Sequence, residues 1–422
     1  MFLKKLMPIT SFCAAERETL GDNREKSLVS QAPFDTCEVC VIVPVRNEAA
    51  AIEATLKALT HQVDLTGKPL AKNRYEVIVL ANNCTDNSAQ IALDFARSHE
   101  SVIHVVEMTV EKNRAHVGWV RKLLMDEACR RLKSIGRESG IIASTDGDTR
   151  VADTWIAATM AEIKKGADGV GGRIVTCSQE RNKLNKQTQL YYLRYLRYGY
   201  LTACLESLLD PDAEPLPRHH HHYGASMAIT AQMYAKVGGL PPLPASEDVA
   251  FYHALMLVDA RFRHSPSVRV TTSARVLGRA SAGLSERLAQ LNRIATDRQS
   301  VMVESAHVIQ KRFCLRSRLR YLWQSRHLDR NCKELLLLSK QLDLSQEHLE
   351  EIIMRSPTFG LLVKQIVQYQ KGNDKIERDC HKATIQKAIA DLEFLTKRPS
   401  CSQPSLDSLP QIQPISLLAQ PF

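Results

Sequence analysis

The stretch GIIASTDGDTRVADTW, residues 140–155, places two aspartates one residue apart directly after a short apolar run. That run, GIIAST, is rich in β-branched residues, which predicts a strand buried on both faces. Similar runs occur earlier as CVIVPV (40–45), YEVIVLA (75–81) and SVIHVV (101–106). Helical patterns follow these runs, and alternating strands and helices predict an α/β fold with a mainly parallel sheet flanked by helices.

The two aspartates, Asp146 and Asp148, follow the fourth predicted strand. In sheets of this kind ligands bind beyond the carboxyl ends of the strands, so we expect a ligand at this position. Hard divalent cations prefer carboxylate oxygens and bridge readily to a diphosphate. The pattern therefore predicts a site for Mg²⁺ or Mn²⁺. The alternative interpretation is an ordinary turn with two solvated carboxylates.

The loops after the first two strands read PVRNEAA (44–50) and ANNCTDNS (81–88). The first strand is not followed by a Gly-x-Gly-x-x-Gly dinucleotide fingerprint, and the sequence contains no Walker Gly-x-x-x-x-Gly-Lys loop. Polar side chains dominate both loops instead. Such side chains suit recognition of a base or a ribose, and a cation would then be needed beside the phosphates.

In this order, these motifs resemble the family 2 glycosyltransferases of the GT-A fold. The resemblance rests on VIVPVRNE (41–48), the Thr-Asp-Asn-Ser loop, a helix with Gly and Arg (114–132), the Asp-x-Asp and a later Glu-Asp, and it covers roughly residues 40–282. It implies transfer of a sugar from a nucleotide diphosphate sugar to an acceptor, usually with Mg²⁺ or Mn²⁺.

The resemblance also implies roles for individual residues. The predicted nucleotide-sugar contacts are Pro44, Arg46, Glu48, Asn82, Arg121 and Asp146, and the predicted metal ligands are Asp146 and Asp148. Relatives usually carry acidic residues where this chain has Ala81 and Asn82, so an amide would contact the base. UDP is favoured over GDP. For Arg121, a solvated face of an amphipathic helix is the alternative.

A helix is predicted to start within PASEDVAF, residues 244–251, with Ser246 as its N-cap and two acids, Glu247 and Asp248, in its first turn. Acids there also complement the helix dipole, which is the alternative interpretation. The family places its catalytic carboxylate after the acceptor loop. We therefore predict that Asp248 accepts the proton of the attacking hydroxyl in an inverting reaction, with Glu247 supporting it.

Four histidines stand together in RHHHHYGASMAIT, residues 218–230. The resemblance places this segment on the acceptor side, which makes His222 and Ser226 candidate acceptor contacts. A flexible polar loop is the alternative. Upstream, the aromatic-rich segment 189–209 is predicted to be a helix whose tyrosines form a packing stripe rather than a sugar-stacking surface.

The chain has 422 residues, a net charge of +10 and 11 scattered cysteines, which we interpret as buried thiols of a reducing, cytoplasmic protein. No segment reaches the apolar length of a membrane span. The predicted regions are a loose leader (1–36), a glycosyltransferase domain (37–282), a helical C-terminal region (283–398) and a disordered tail (399–422).

The helical C-terminal region is expected to close the acceptor side or to mediate self-association. Its basic stretch 311–330 raises the alternative of contact with an anionic membrane surface. We favour a face that covers the core and leaves the arginines solvated. No nucleic-acid partner is predicted. A retaining glycosyltransferase, a nucleotidyltransferase and a sugar-nucleotide-binding protein without activity are the alternative functions.

Overall fold

The computed structural model describes residues 27–99, 102–210, 212–276, 278, 283–325, 333–372, 382–397 and 417. Most of the predicted leader, residues 1–26, lies outside the described residues. The predicted disordered tail, residues 399–422, also lies outside them, apart from Leu417.

An eight-stranded sheet forms the centre of the fold, in the spatial order β3-β2-β1-β4-β7-β6-β8-β5. Its strands are β1 (Val39–Val45), β2 (Tyr75–Asn82), β3 (Ile103–Met108), β4 (Ile141–Ser144), β5 (Thr149–Val151), β6 (Gly169–Thr176), β7 (Met227–Thr230) and β8 (Phe262–Thr272). The four strands predicted from the sequence are β1 to β4, and they pair in parallel. β7 runs antiparallel to both β4 and β6. The predicted α/β class is confirmed.

Fourteen described helices surround the sheet or extend beyond it. They are α1 (Ile52–Thr60), α2 (Ser88–Arg97), α3 (Val117–Ser134), α4 (Trp155–Lys164), α5 (Ser178–Arg181), α6 (Lys186–Leu209), α7 (Ala231–Lys236), α8 (Glu247–Leu257), α9 (Leu284–Thr296), α10 (Ala306–Ser325), α11 (Lys333–Leu342), α12 (Gln346–Arg355), α13 (Phe359–Gly372) and α14 (Ile385–Lys397). Among the described residues, no helix is long and apolar enough to span a membrane. Two short strands, β9 (Met302–Glu304) and β10 (Lys382–Thr384), pair separately.

Both faces of the central sheet are buried. Val41 and Val43 of β1 pack in one hydrophobic cluster with helices α1 and α4. Cys40 and Ile42, which alternate with them, pack in a second cluster with α3 on the opposite face. Successive side chains of a strand point to opposite faces, so burial of both faces explains why the strands read as continuous apolar runs.

The loops that contain the candidate site residues lie at one edge of the sheet. The end of β1 pairs with the end of β2 at Val45 and Ala81. The end of β4 pairs with the start of the antiparallel β7. Thr272, the last residue of β8, pairs with Thr149 at the start of β5. The segments after β1, β2, β4 and β8 and before β7 therefore meet at this edge.

The C-terminal helices share a hydrophobic core with α6. This third cluster contains Tyr191 and Tyr198 of α6 together with residues of α9, α10 and α14. A fourth cluster joins α10 to α13. Helix α6 thus packs with the C-terminal helices, and the domain boundaries remain predictions.

The described arginines of the basic stretch are paired, which corrects the expectation that they are solvated. Each of the four on α10 has an acidic partner: Arg312 with Glu304, Arg316 with Glu206, Arg318 with Glu334 and Arg320 with Asp210. Arg320 also lies 4.0 Å from the ring centroid of Phe359. These cations hold α10 against α6 and its neighbours, because acids on α6, on α11 and in the segment after α6 meet them. They do not form a free basic surface.

Helix α13 packs closely against α8, whose first turn carries Glu247 and Asp248. A Cβ on Gly360 would lie 1.9 Å from the backbone oxygen of Met256, a distance that real Cβ atoms do not show. We therefore expect Gly360→Ala to destabilise the protein by about 1–3 kcal/mol. At an unhindered helix position the same substitution would instead raise the free energy of unfolding by up to about 1 kcal/mol.

Chemical denaturation measures this change, with Lys364→Ala at an exposed position of the same helix as the control. The control is expected to leave the free energy of unfolding within about 0.5 kcal/mol of the unaltered protein. A Gly360→Ala variant as stable as the control would contradict close packing of α13 on α8.

Candidate functional site

A cavity of about 640 Å³ opens at the edge of the sheet where the loops meet. The predicted residues on its wall are Pro44, Arg46, Glu48, Asn82, Arg121, Asp146, Asp148, Glu247 and Asp248. His222 and Ser226 are not on this wall. The fold thus brings together the residues predicted for the nucleotide sugar, the metal and the base, but not the two predicted for the acceptor.

Arg121, on α3, connects the two acidic parts of the cavity. Its side chain is 4% exposed, and its Nη2 donates to Asp146 Oδ1 at 2.8 Å while its Nε donates to Glu247 Oε1 at 3.0 Å. Burial acts to lower its pKa, but the neighbouring Asp146 and Glu247 more than offset this and raise it. The predicted alternative of a solvated face does not hold for Arg121, because protein carboxylates surround its guanidinium.

The segment before β7 completes the surroundings of Arg121. Arg121 Nη1 donates to the Oγ of Ser144 and, at 3.2 Å, to the backbone oxygen of Gly224. A Cβ at position 224 would lie 2.5 Å from the Arg121 Cζ. Glycine is therefore required there by the close approach of the guanidinium.

Arg275 links Glu48 to Asp148 on the other side of the cavity. It lies just beyond β8, and its guanidinium donates to both Glu48 oxygens, at 2.7 and 2.8 Å, and lies 3.1 Å from Asp148 Oδ2. Burial raises the pKa of Asp148 to about 6, Asp146 and Glu48 add to the rise, and Arg275 opposes it. Asp148 therefore has two carboxylates, Asp146 and Glu48, and one guanidinium as charged neighbours.

This excess of negative charge fits a cation beside Asp146 and Asp148. The donors are carboxylate oxygens, which Mg²⁺ and Mn²⁺ accept as ligands. Within the part of the chain that the structure describes, no group of three or more His, Cys, Asp or Glu side chains converges as a metal site. Asp146 and Asp148 are therefore the candidate metal ligands at this edge.

Asp248 lies on the cavity wall at the start of α8. Its Oδ2 accepts from the Gly224 N–H at 2.7 Å and its Oδ1 from the Val249 N–H at 2.8 Å. The predicted N-cap, Ser246, instead adopts a left-handed conformation with φ 56° and makes no capping side-chain hydrogen bond. Asp248 is thus held in place by backbone donors, while Glu247 is buried against Arg121.

The predicted acceptor residues are placed elsewhere. Ser226 is 1% exposed, and its Oγ accepts from Trp155 Nε1 at 3.0 Å. The ring of His222 stacks on Tyr252 with 4.0 Å between centroids. Neither side chain is on the cavity wall, and their roles as acceptor contacts stay predictions.

The histidine run is packed rather than a flexible polar loop. Burial lowers the pKa of His219 to about 2, with His221 and His264 adding to the shift, and it lowers the pKa of His221 to about 4, with Arg173 adding to the shift. These imidazoles are consequently neutral at pH 7. His220 and His221 reach the cavity wall in place of His222.

The side chains on the wall that were not assigned from the sequence as site residues include Arg275, Tyr195 and Arg287. Tyr195 belongs to the aromatic segment that was predicted as a packing stripe. Tyr191 and Tyr198 do pack in the third core, but Tyr195 borders the cavity. The Arg287 guanidinium lies over the Tyr195 ring, 4.8 Å from the ring centroid.

The family described as Glycosyl transferase family 2 matches residues 40–213. These residues belong to glycosyltransferase family 2. The match spans β1 to β6 and helix α6, and with them the Asp146–Asp148 pair. The family and fold class predicted from the sequence are thereby confirmed.

A curated relative of this family 2 domain is Glycosyltransferase AglE of Haloferax volcanii. It is 30% identical over 149 residues, which are 35% of this chain and 41% of the relative. The match therefore spans about two fifths of that protein's length.

Two solved structures resemble the chain at low identity. Staphylococcus aureus TarS 1-349 in complex with UDP-GlcNAc has a TM-score of 0.40 and 15% identity, covering 78% of this chain and 81% of its own. The mannosyltransferase PcManGT of Pyrobaculum calidifontis, in complex with GDP-Man and Mn²⁺, has a TM-score of 0.37 and 14% identity, covering 92% of this chain and 94% of its own.

Proposed function

We propose that the chain transfers a sugar from a nucleotide diphosphate sugar, with UDP favoured, to an acceptor hydroxyl with inversion at the anomeric carbon. The observation that carries this proposal is the placement of Arg121, which ties the Asp146 loop to the first turn of α8. One cavity thus contains both the carboxylates suited to a metal-bound diphosphate and the carboxylate suited to a base.

The nucleoside would bind between the ends of β1 and β2. Asn82 closes β2 at the cavity wall and can both donate to and accept from a base edge. Arg46 follows β1, and its Nη1 donates to the Ala115 oxygen at 2.7 Å across this part of the cavity. Glu48 is engaged by Arg275, so in this proposal it orients that arginine instead of contacting the nucleoside directly.

The diphosphate would lie beside Asp146 and Asp148. A divalent cation held there would neutralise the charge that develops on the leaving diphosphate. Arg121 fixes the Asp146 carboxylate, and its own hydrogen bonds to protein groups give it a positioning role. Arg275, shared by Glu48 and Asp148, keeps the second aspartate at the same edge.

The acceptor hydroxyl would lose its proton to Asp248. As the acceptor oxygen forms a bond to the anomeric carbon, the bond from that carbon to the diphosphate oxygen breaks, and the nucleoside diphosphate departs with the electron pair. Backbone donors from Gly224 and Val249 hold the carboxylate in place for this transfer. A positioned base of this kind contributes about 10²–10⁴ to the rate.

The first test is ligand-linked stability. We expect UDP with Mn²⁺ to raise the free energy of unfolding by about 2.7 kcal/mol at a ligand concentration 100 times its Kd, and UDP alone to raise it less. Asp148→Ala should abolish the metal-dependent part, because it removes a carboxylate that is 14% exposed at the cavity edge. Thermal-shift titration after chelation of carried-over ions measures both effects.

Asp153→Ala is the matched control, since Asp153 is an exposed aspartate five positions along the chain and outside the cavity wall. It should keep the full response to UDP with Mn²⁺. Equal shifts with and without metal in the unaltered protein would contradict the metal role. Release of pyrophosphate in place of a nucleoside diphosphate during turnover would identify a nucleotidyltransferase instead.

A further inference from the structure

The wall formed by α6 and α9 presents a cation to the cavity. The Arg287 guanidinium lies over the Tyr195 ring, and its Nη1 donates to Gln290 Oε1 at 3.0 Å. Within the part of the chain that the structure describes, no carboxylate forms an ion pair with it. Its neighbour on α9, Glu286, pairs with Arg293 instead. Arg287 therefore keeps a full positive charge and free donors beside the cavity.

Two other arginines on the wall are committed to protein carboxylates, and the fourth, Arg46, donates to the Ala115 oxygen. Arg121 is held by Asp146 and Glu247, and Arg275 by Glu48 and Asp148. Their donors are directed at these partners. Arg287 thus differs from both, because its resting partners are an aromatic face and a neutral amide.

Arg287 and Asp248 line the same cavity. Tyr223, which also lines it, immediately precedes Gly224, whose N–H is bonded to Asp248. Arg287 and Asp248 therefore border the space in which an acceptor hydroxyl would meet the proposed base.

The chemistry of the pair favours an oxyanion. A guanidinium presents its N–H donors as a planar fork that matches carboxylate and phosphate oxygens, and a ring beneath it restricts its orientation. An anionic acceptor that approached Asp248 without such a cation would be repelled by that carboxylate. The Arg287 cation offsets this repulsion.

We propose that Arg287, held over Tyr195, binds a phosphate or carboxylate group of the acceptor and so places the acceptor hydroxyl at Asp248. This inference rests on the proposed function, because it takes the bound molecule to be the acceptor of the sugar transfer. The anion site itself does not require transfer, so it can be tested separately.

The test uses the full chain saturated with UDP and Mn²⁺, so that the diphosphate position is filled. Inorganic phosphate and, separately, acetate are titrated at constant ionic strength, and apparent Kd values are taken from the thermal shift. At least one of these anions is expected to bind. Arg287→Gln should weaken that binding by about tenfold, the effect of losing a charge-assisted hydrogen bond.

Arg298→Gln is the control, because Arg298 lies just after the same helix, is exposed and is outside the cavity wall. It should bind the anion like the unaltered protein. Arg287→Lys keeps the charge without the fork and should bind with intermediate affinity, which separates recognition from a loss of folding. The anion that responds identifies the acceptor group as a phosphate or a carboxylate.

Three results would overturn the inference. The first is the absence of an anion response in the unaltered protein, and the second is an equal response in Arg287→Gln. The third is loss of UDP binding in Arg287→Gln with Arg298→Gln unaffected, which would assign the cation to the donor. Failure of UDP to bind any variant would count against the proposed function instead, and the Arg287 dependence of anion binding could still be measured without UDP.

Discussion

Asp248→Asn should slow sugar transfer by about 10²–10⁴ while the donor nucleotide still binds. The amide keeps the shape of the carboxylate and can still accept from the Gly224 N–H, but it cannot take a proton at neutral pH. Calorimetric titration of UDP with Mn²⁺, beside a transfer assay, should therefore show near-normal affinity with strongly reduced turnover.

Asp259→Asn is a suitable control for this experiment. Asp259 follows the other end of α8, and its two oxygens accept from the Phe359 and Gly360 N–H groups. An amide keeps one of these two acceptors, as it does at Asp248, so the two variants lose the same kind of contact. The left-handed conformation of Asp259, φ 51°, is one that asparagine tolerates. The control should transfer sugar normally.

If Asp248→Asn transferred sugar at the normal rate, its carboxylate would be only a structural group at the start of α8. A product that retained the anomeric configuration of the donor would contradict inversion. Glu247 and Asp248 would then have to be reinterpreted as an acceptor-binding pair in a retaining enzyme.

The sheet and one edge of the cavity could be predicted from local sequence patterns. Burial on both faces turns β1 to β4 into continuous apolar runs, and parallel pairing sends their ends to one edge. The position of Asp146 and Asp148 at that edge follows from the strand that precedes them. These features depend on residues close together in the chain, which is why periodicity finds them.

The contacts that complete the cavity could not be predicted in this way, because they join distant parts of the chain. Arg275 meets Glu48 across 227 positions, and its own segment looks like the end of an ordinary strand. Ser226 occupies the predicted loop, but the Trp155 side chain reaches it from α4 and buries it. Only the tertiary packing decides which face of such a segment meets the cavity.

The same reason explains the errors made with cations. A run of arginines on a predicted helix is typical of a solvated face, and the acids that pair with Arg316 and Arg320 are 110 positions away. Arg121 is a comparable case, because Glu247 is 126 positions away. The sequence indicates that a charge is present, but not whether its partner is water, a ligand or another side chain.

Arg121→Met is expected to have the largest effect on both stability and donor binding. Removing the guanidinium leaves Glu247 buried without its counter-ion and frees Asp146, and breaking a buried ion pair from one side costs about 3–5 kcal/mol. Because Asp146 is part of the proposed diphosphate site, affinity for UDP with Mn²⁺ should also fall. Chemical denaturation and calorimetry, both far below the melting temperature, measure the two losses.

Arg131→Met separates the local effect from general destabilisation. Arg131 lies on the same helix, is 1% exposed and donates through Nε and Nη2 to both oxygens of the buried Glu76. This ion pair is outside the cavity wall, so its loss should destabilise the protein to a similar degree and leave donor affinity unchanged in the folded fraction.

Arg121→Lys, which keeps the charge, should recover part of the stability but less of the donor affinity, since an ammonium cannot span Asp146 and Glu247 with a planar fork. If Arg121→Met and Arg131→Met bound UDP with Mn²⁺ equally well, Arg121 would be a structural ion pair only, and the connection between the two acidic groups would not matter for the donor.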